Sequence, residues 1–203
     1  MPFPEFFNQF GLYSEYEFLS EQFCERLCSE MTNATAVTGW VWNPETGDNV
    51  KEEVKKRKEY LGLPDDYQLQ IREKLLQLMP QMAGHFGVEL KDVQPIKFTR
   101  YDEGDYYRMH LDISPHSPAP AIINDRKVSV IIFVNQEGED LDEGDYVGGN
   151  LTFYGLLNDR NWQNVGLPLE SEAGLLIAFR PNIFHEVTPV TAGSRLTITT
   201  WFV

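Results

Sequence analysis

The chain is poor in the residues that staple small secreted domains and in those that grip polyanions. Of 203 residues only Cys24 and Cys28 are cysteines. They lie one helical turn apart, so a secreted disulfide framework is excluded and a reducing compartment is expected. Lysine and arginine number 17 against 31 aspartates and glutamates, a formal charge of -14. Phosphates would be repelled along most approaches, which disfavours nucleic acid and anionic membrane surfaces. No apolar run approaches the roughly 18 residues of a membrane span, and the opening MPFPEFFNQF has neither the basic region nor the apolar stretch of a signal peptide. A cytoplasmic protein is expected, with a small molecule or a neutral or basic peptide as its easier partner. Histidine is scarce too: His85, His110, His116 and His185 are the whole supply.

What is present fits one domain over residues 1–203, because single cores grow to roughly 250 residues. From Ser20, a fair N-cap, Phe23, Cys24, Leu27, Cys28 and Met31 fall at helical spacing. Residues 38–50 read as a hairpin around NPETGDN and 51–60 as a charged helix. Leu69, Leu75, Leu76, Leu78, Met79, Met82 and Phe86 give a longer helix with a kink expected at Pro80. After residue 94 the period changes to that of strands: PIKFTRY, KVSVIIFVN, NLTFY, GLLIAFR, FHEVTPV and RLTITTWFV are β-branched, aromatic and separated by Gly, Pro and acidic loops. Helices in a block (1–93) followed by strands in a block (94–203) predict an α+β fold whose second half is a sandwich or double-sheet barrel.

The candidate chemistry starts at His110-Leu111-Asp112. On a strand, residues two apart share a face, so His110 and Asp112 project together. The same pair would also serve as an ordinary polar patch, and a metal needs more ligands. His185, in the strand-like FHEVTPV, is the natural third, and two histidines with one carboxylate form the facial set that favours non-haem Fe(II). His85 reads as a helix end and His116 as loop surface. Alternation in RLTITTWFV puts Arg195, Thr197, Thr199 and Trp201 on one face and Leu196, Ile198 and Phe202 on the other. If the first face is interior, an unpaired arginine there is costly unless an anion meets it. Gly148 and Gly149 read as a bulge or tight strand entry. Residues 113–126 and the acidic 135–145 are loop candidates for substrate contact, the acidic one reading better as a solvated connection.

Four separated pieces, RYDEGDYYRMHLD, RKVSVIIFVNQ, YVGGNLTFY and FRPNIFHEVTPVTAGSRLTITTWF, cover about half the chain. In that order they resemble the prolyl 4-hydroxylase branch of the Fe(II)/2-oxoglutarate-dependent dioxygenases. The resemblance implies a double-stranded β-helix (jelly-roll) core with N-terminal support helices. It also implies Fe(II) held by His110, Asp112 and His185, 2-oxoglutarate as cosubstrate, and ascorbate as an accessory reductant. Arg195 would take the distal carboxylate of 2-oxoglutarate, Tyr101 and Thr199 would help hold the cosubstrate, and Tyr107 matches the second tyrosine of the motif. Strand parity turns Tyr107 away from His110 unless a bulge intervenes. Phe133 stands where some relatives carry a tyrosine for the same carboxylate. Retention of Asp112 implies hydroxylation rather than halogenation. The implied substrate is a prolyl residue in a peptide or protein, with a free amino acid or small metabolite as the alternative, and a non-catalytic jelly-roll binding module as the alternative of another class.

Overall fold

The structure is a computed structural model that describes residues 4–38, 41–42, 49–50, 54–60, 62–113, 120–157, 159–161 and 163–203. Its helices are α1 (Pro4–Asn8), α2 (Glu21–Asn33), α3 (Asp65–Phe86) and the short α4 (Ala121–Asn124). The first six strands are β1 (Tyr13–Glu15), β2 (Ala36–Thr38), β3 (Val41–Trp42), β4 (Asn49–Val50), β5 (Lys55–Lys56) and β6 (Lys58–Tyr60). Five more are β7 (Lys97–Tyr101), β8 (Tyr106–His110), β9 (Val128–Phe133), β10 (Val147–Gly148) and β11 (Leu151–Phe153). The last five are β12 (Leu167–Leu169), β13 (Leu176–Phe179), β14 (His185–Val187), β15 (Val190–Ala192) and β16 (Arg195–Phe202).

Two antiparallel sheets dominate. The larger runs β1-β13-β9-β16-β7-β6-β2 and the smaller β12-β11-β14-β8-β5. Between them pack Ile131, Phe133, Ile177 and Phe179 from the larger sheet and Leu151, Phe153 and Leu169 from the smaller. The other face of the larger sheet is covered by the helices: Val130, Ile132, Leu196, Ile198 and Phe202 meet Phe23, Leu27 and Met31 of α2 and Ile71, Leu75 and Met82 of α3. A sheet covered on both sides needs strands apolar on both faces, and all six residues of β9 are buried. Each fully buried Ile, Leu or Phe contributes about 1.5–3 kcal/mol, which makes this double layer a rigid frame for side chains at its edge.

The helix capped by Ser20 forms as expected, its Oγ accepting from Phe23 N at 3.3 Å. The residue 38–50 reading holds as the β3–β4 pair, while the turn residues 43–48 lie outside the described residues. The charged helix expected at 51–60 does not form. Over its described part the segment is two short strands, β5 pairing with β8 and β6 with β7 and β2. The N-terminal part thus supplies strands to both sheets as well as helices. α3 continues through Pro80, and its buried stripe is Tyr67, Ile71, Leu75, Met82 and Phe86, with Leu69 at 59% exposure rather than in the core. Gly87, at φ 62°, ends α3 in the left-handed conformation, and its N–H donates to Ala83 O. No described helix is long and apolar enough to cross a membrane.

Candidate active site

β8 and β14 are neighbours in the smaller sheet, and their register sets His185 directly opposite His110. Asp112 follows two residues after His110, its backbone N–H tied to Pro181 O at 2.9 Å. His110 Nε2 lies 3.6 Å from Asp112 Oδ1 and His185 Nε2 3.8 Å from Asp112 Oδ2. One ligand atom from each of the three falls within 4.8 Å of the others, close enough to hold one metal ion. Both rings are oriented from behind: His110 Nδ1 donates to Arg108 O at 2.8 Å and His185 Nδ1 to Ile183 O at 3.0 Å. That fixes the tautomer and turns each Nε2 lone pair toward the shared centre.

Asp112 is held with equal care. Ser129 Oγ donates to its Oδ2 at 2.6 Å and Trp201 Nε1 to the same oxygen at 3.0 Å. Burial alone would raise this carboxyl, but His185, His110 and the Ser129 hydroxyl outweigh it and hold it well below the usual carboxylate range. His185 is brought down to about 4 by burial and by His110 beside it, so its ring is neutral at pH 7. An ionised carboxylate beside a neutral buried imidazole is ready to ligate without first releasing a proton.

The bulge that Tyr107 requires is present. His185 pairs with His110 but Val187 with Tyr107, one extra residue on β8. The shift brings Tyr107 onto the same face as His110. Arg195 lies 1% exposed at the start of β16, opposite Tyr101 of β7. Its Nη1 donates to Thr197 Oγ1 at 3.4 Å, and its Nε and Nη2 are buried with no partner among the described residues. Phe133 does occupy its surroundings, the guanidinium carbon lying 5.1 Å from that ring's centre. A hydroxyl comes from elsewhere: Tyr146, paired with Ser171 Oγ at 2.6 Å, sits within reach of the guanidinium. Gly149, at φ 63°, leaves room for the arginine stem, since a Cβ there would lie 3.0 Å from Arg195 Cδ and 2.8 Å from Val190 Cγ2. The register between β10 and β15 shifts at Gly148, the irregularity expected of these glycines.

All of His110, Asp112, His185, Arg195, Tyr101, Thr199 and Tyr107 line one cavity of about 400 Å³. Thr197 and Trp201 join them, as the alternation of β16 predicts, while Leu196, Ile198 and Phe202 face the helices. His85 is elsewhere, edge-on to Tyr13 and Phe86. His116 lies outside the described residues. Of the loop after Asp112, Ile122, Ile123 and Arg126 reach the cavity, and no described residue of 135–145 does. Sequence reasoning misses four lining cations, Lys55, Arg57, Lys97 and Arg126. Only the structure separates the first two from their neighbours: in Lys55-Lys56-Arg57-Lys58 burial alternates with period two, 3% and 6% exposure for Lys55 and Arg57 against exposed neighbours.

Residues 96–203 match the family model of the 2OG-Fe(II) oxygenase superfamily. The chain belongs to that superfamily. A PKHD-type hydroxylase of Nitrobacter winogradskyi is 31% identical over 148 residues, which are 72% of this chain and 60% of that protein, so the match spans well under two thirds of the relative's length. A prolyl-4-hydroxylase of Pseudomonas putida shares the fold with a TM-score of 0.64 at 22% identity, over 98% of this chain and 95% of that one. A prolyl hydroxylase of Trichoplax adhaerens, solved with a peptide fragment of the hypoxia inducible factor oxygen degradation domain, gives 0.66 at 17% identity, over 98% and 86%. The mostly antiparallel architecture with a few helices is thus that of 2OG oxygenases. The residues present fit what the family name requires: two imidazoles and a carboxylate suit Fe(II), and a buried guanidinium with two unpartnered nitrogens suits a carboxylate of 2-oxoglutarate.

Proposed function

We propose that residues 1–203 act as a single Fe(II)- and 2-oxoglutarate-dependent hydroxylase domain on a jelly-roll core, oxidising a carbon of a prolyl residue in a peptide or protein and releasing succinate and CO2. The observation that carries this reading is the meeting, on one cavity, of the His110, Asp112 and His185 ligand atoms with the orphaned guanidinium of Arg195. Bound together, Fe(II) and 2-oxoglutarate would supply oxidation by dioxygen, one oxygen atom going to succinate as CO2 is lost and the other replacing a substrate C–H by C–OH. Everything else is positioning. His110 Nε2, His185 Nε2 and Asp112 hold the ion, Ser129 and Trp201 keep the Asp112 carboxylate aimed, and Arg195 pairs with the distal carboxylate of the cosubstrate. Thr199 and Tyr101 border the same cavity and help seat the cosubstrate. Tyr107, Trp201 and Ile131 narrow the remaining wall against water. Ascorbate is the proposed accessory reductant, and the cytoplasm the proposed location.

The prolyl hydroxylase folds of Pseudomonas putida and Trichoplax adhaerens, the latter with a bound peptide, favour the peptidyl assignment. A free amino acid or small metabolite is the second reading, favoured by the cations that line the cavity. A binding module without turnover has no use for an unpaired buried arginine. Anaerobic titration with Fe(II) and 2-oxoglutarate, followed by oxygen and mass spectrometry of proline-containing peptides and free amino acids, tests the reading. The expected result is succinate together with a gain of about 16 Da on proline, one oxygen atom. Failure to form succinate with any candidate would remove the enzymatic reading.

A further inference from the structure

Two buried guanidinium groups face the cavity, and the cosubstrate accounts for only one. Arg57, between β5 and β6, is 6% exposed. Its Nη1 donates to Tyr101 Oη at 3.1 Å and its Nη2 to Glu59 Oε1 at 2.8 Å, while Nε is buried without a partner. Its guanidinium lies 5.9 Å from the centre of the Tyr101 ring and 5.6 Å from that of Tyr107, the ring stacked on His110. Arg195 lies 5.3 Å from the same Tyr101 ring, so one tyrosine separates two anion-seeking groups.

Among the described residues around the cavity, positive charge exceeds negative. In formal terms Fe(II), Asp112, a 2-oxoglutarate dianion and Arg195 cancel. Arg57 and Lys97 then lie 2.8 and 3.7 Å from one carboxylate, Glu59, with Arg126 on the same cavity, while Lys55, 3.5 Å from Glu59 and neutral at pH 7, adds a donor rather than a charge. Asp112 is the one carboxylate among the described lining residues, and it belongs to the metal site. Uncompensated buried charge is costly, and a ligand that brings the counter-charge removes the cost on binding. The crowding already shows at Lys55, which burial and then the Arg57 charge bring down to about 6.

We propose that the primary substrate carries a carboxylate that docks on Arg57, beside Lys55, and so sets the carbon to be oxidised next to the His110 edge of the metal site. This rests on the hydroxylase reading above and narrows its substrate class. The carboxylate can be the main-chain group of a free amino acid or the side chain of an acidic residue flanking the target in a peptide, since Arg57 recognises the group and not its source.

The test uses matched probes: L-proline against L-prolinamide, and the blocked peptides Ala-Pro-Glu-Ala against Ala-Pro-Gln-Ala. Binding is read twice, from the visible absorption of the anaerobic protein loaded with Fe(II) and 2-oxoglutarate, and from thermal unfolding of the metal-free protein. The acidic member of at least one pair should bind at least tenfold tighter, and which pair it is identifies the source. Arg57→Gln should erase the preference and Arg57→Lys retain part of it, in protein whose circular dichroism and 2-oxoglutarate affinity match the parent's. Equal response to both members of every pair, including none, overturns the inference even if succinate forms with some other substrate. So does a preference that survives in Arg57→Gln. A preference seen in metal-free protein that never forms succinate upholds the carboxylate site and removes the hydroxylase reading instead.

Discussion

The ring of Tyr107 lies flat on that of His110, centroids 3.6 Å apart and planes 16° from parallel. Residues three apart on a regular strand face opposite ways, so this contact exists only because β8 carries one extra residue against β14. The stack clamps one face of a proposed metal ligand while the Nδ1 bond to Arg108 O fixes its edge. Tyr107→Phe should therefore leave Fe(II) affinity within about twofold of the parent, whereas Tyr107→Ala should weaken it by about tenfold, the scale of a lost supporting contact. Anaerobic metal titration of the two variants separates ring from hydroxyl.

His110→Ala, Asp112→Ala and His185→Ala should each lower Fe(II) affinity by more than about 100-fold, beyond what loss of a supporting contact alone produces. His85→Ala should bind iron as the parent does, because its ring packs on Tyr13 and Phe86. Full affinity in His185→Ala would mean the third ligand is another residue.

Arg195→Met should remove the stabilisation by 2-oxoglutarate and yet leave the ligand-free protein as stable as the parent or more so. Its guanidinium buries two nitrogens that no described residue satisfies, and an apolar side chain of similar length carries no such penalty. Thermal unfolding with and without the cosubstrate measures both effects. Arg195→Lys should raise the KM for 2-oxoglutarate by roughly 10- to 100-fold, since a bidentate charge-assisted pair contributes about 1.5–3 kcal/mol and lysine keeps the charge but not the fork.

Gly149→Ala should act at a distance on the same anion. The new methyl would meet Arg195 Cδ and Val190 Cγ2 from a backbone at φ 63°. Strain and displacement together should cost about 1–3 kcal/mol of stability and raise the 2-oxoglutarate KM several-fold without changing Fe(II) affinity.

Lys55 predicts the pH response. Burial, and then Arg57, bring its folded value to about 6 from the ordinary 10.5. Between those limits the unfolded chain holds a proton that the folded chain does not, so the folded state loses stability as pH falls from 10.5 toward 6. Lys55→Met should raise the Tm by several degrees near pH 7, at roughly 2–4 °C per kcal/mol for a chain of this size, and the gain should shrink as pH rises toward 10.5. Unfolding scans across that range follow it directly.

The proposed iron set was legible because residues two apart on a strand share a face and the scarcity of histidine left few choices for the third; β8 ends at His110, yet Asp112, just beyond it, still meets the two histidines. Arg195 was legible for a related reason: Leu196, Ile198 and Phe202 mark one face of β16 as core, which leaves the arginine facing the cavity. Residues 54–60 were not legible. In KKRKEY every residue but the last is charged, so polarity carries no record of which side is buried, and Lys and Glu are good helix formers. What overrides propensity is the pairing of β5 with β8 and of β6 with β7, partners about 50 and 40 positions away. The bulge in β8 was legible only as a condition, since strand parity turns Tyr107 away from His110 without one, and no glycine or proline marks where it falls.

At least five of the seventeen basic residues line the cavity with one acidic residue, Asp112, leaving twelve or fewer to face at most thirty acidic ones elsewhere. A dianion approaching from solvent therefore meets a repelling shell around an attracting interior. Beyond the Debye length, about 8 Å at physiological ionic strength, only the shell is shielded away, and the interior is reached after desolvation. Added salt should accordingly hasten cosubstrate capture at first, the reverse of ordinary electrostatic steering, and slow it only once the salt's own anions compete for the buried guanidinium groups.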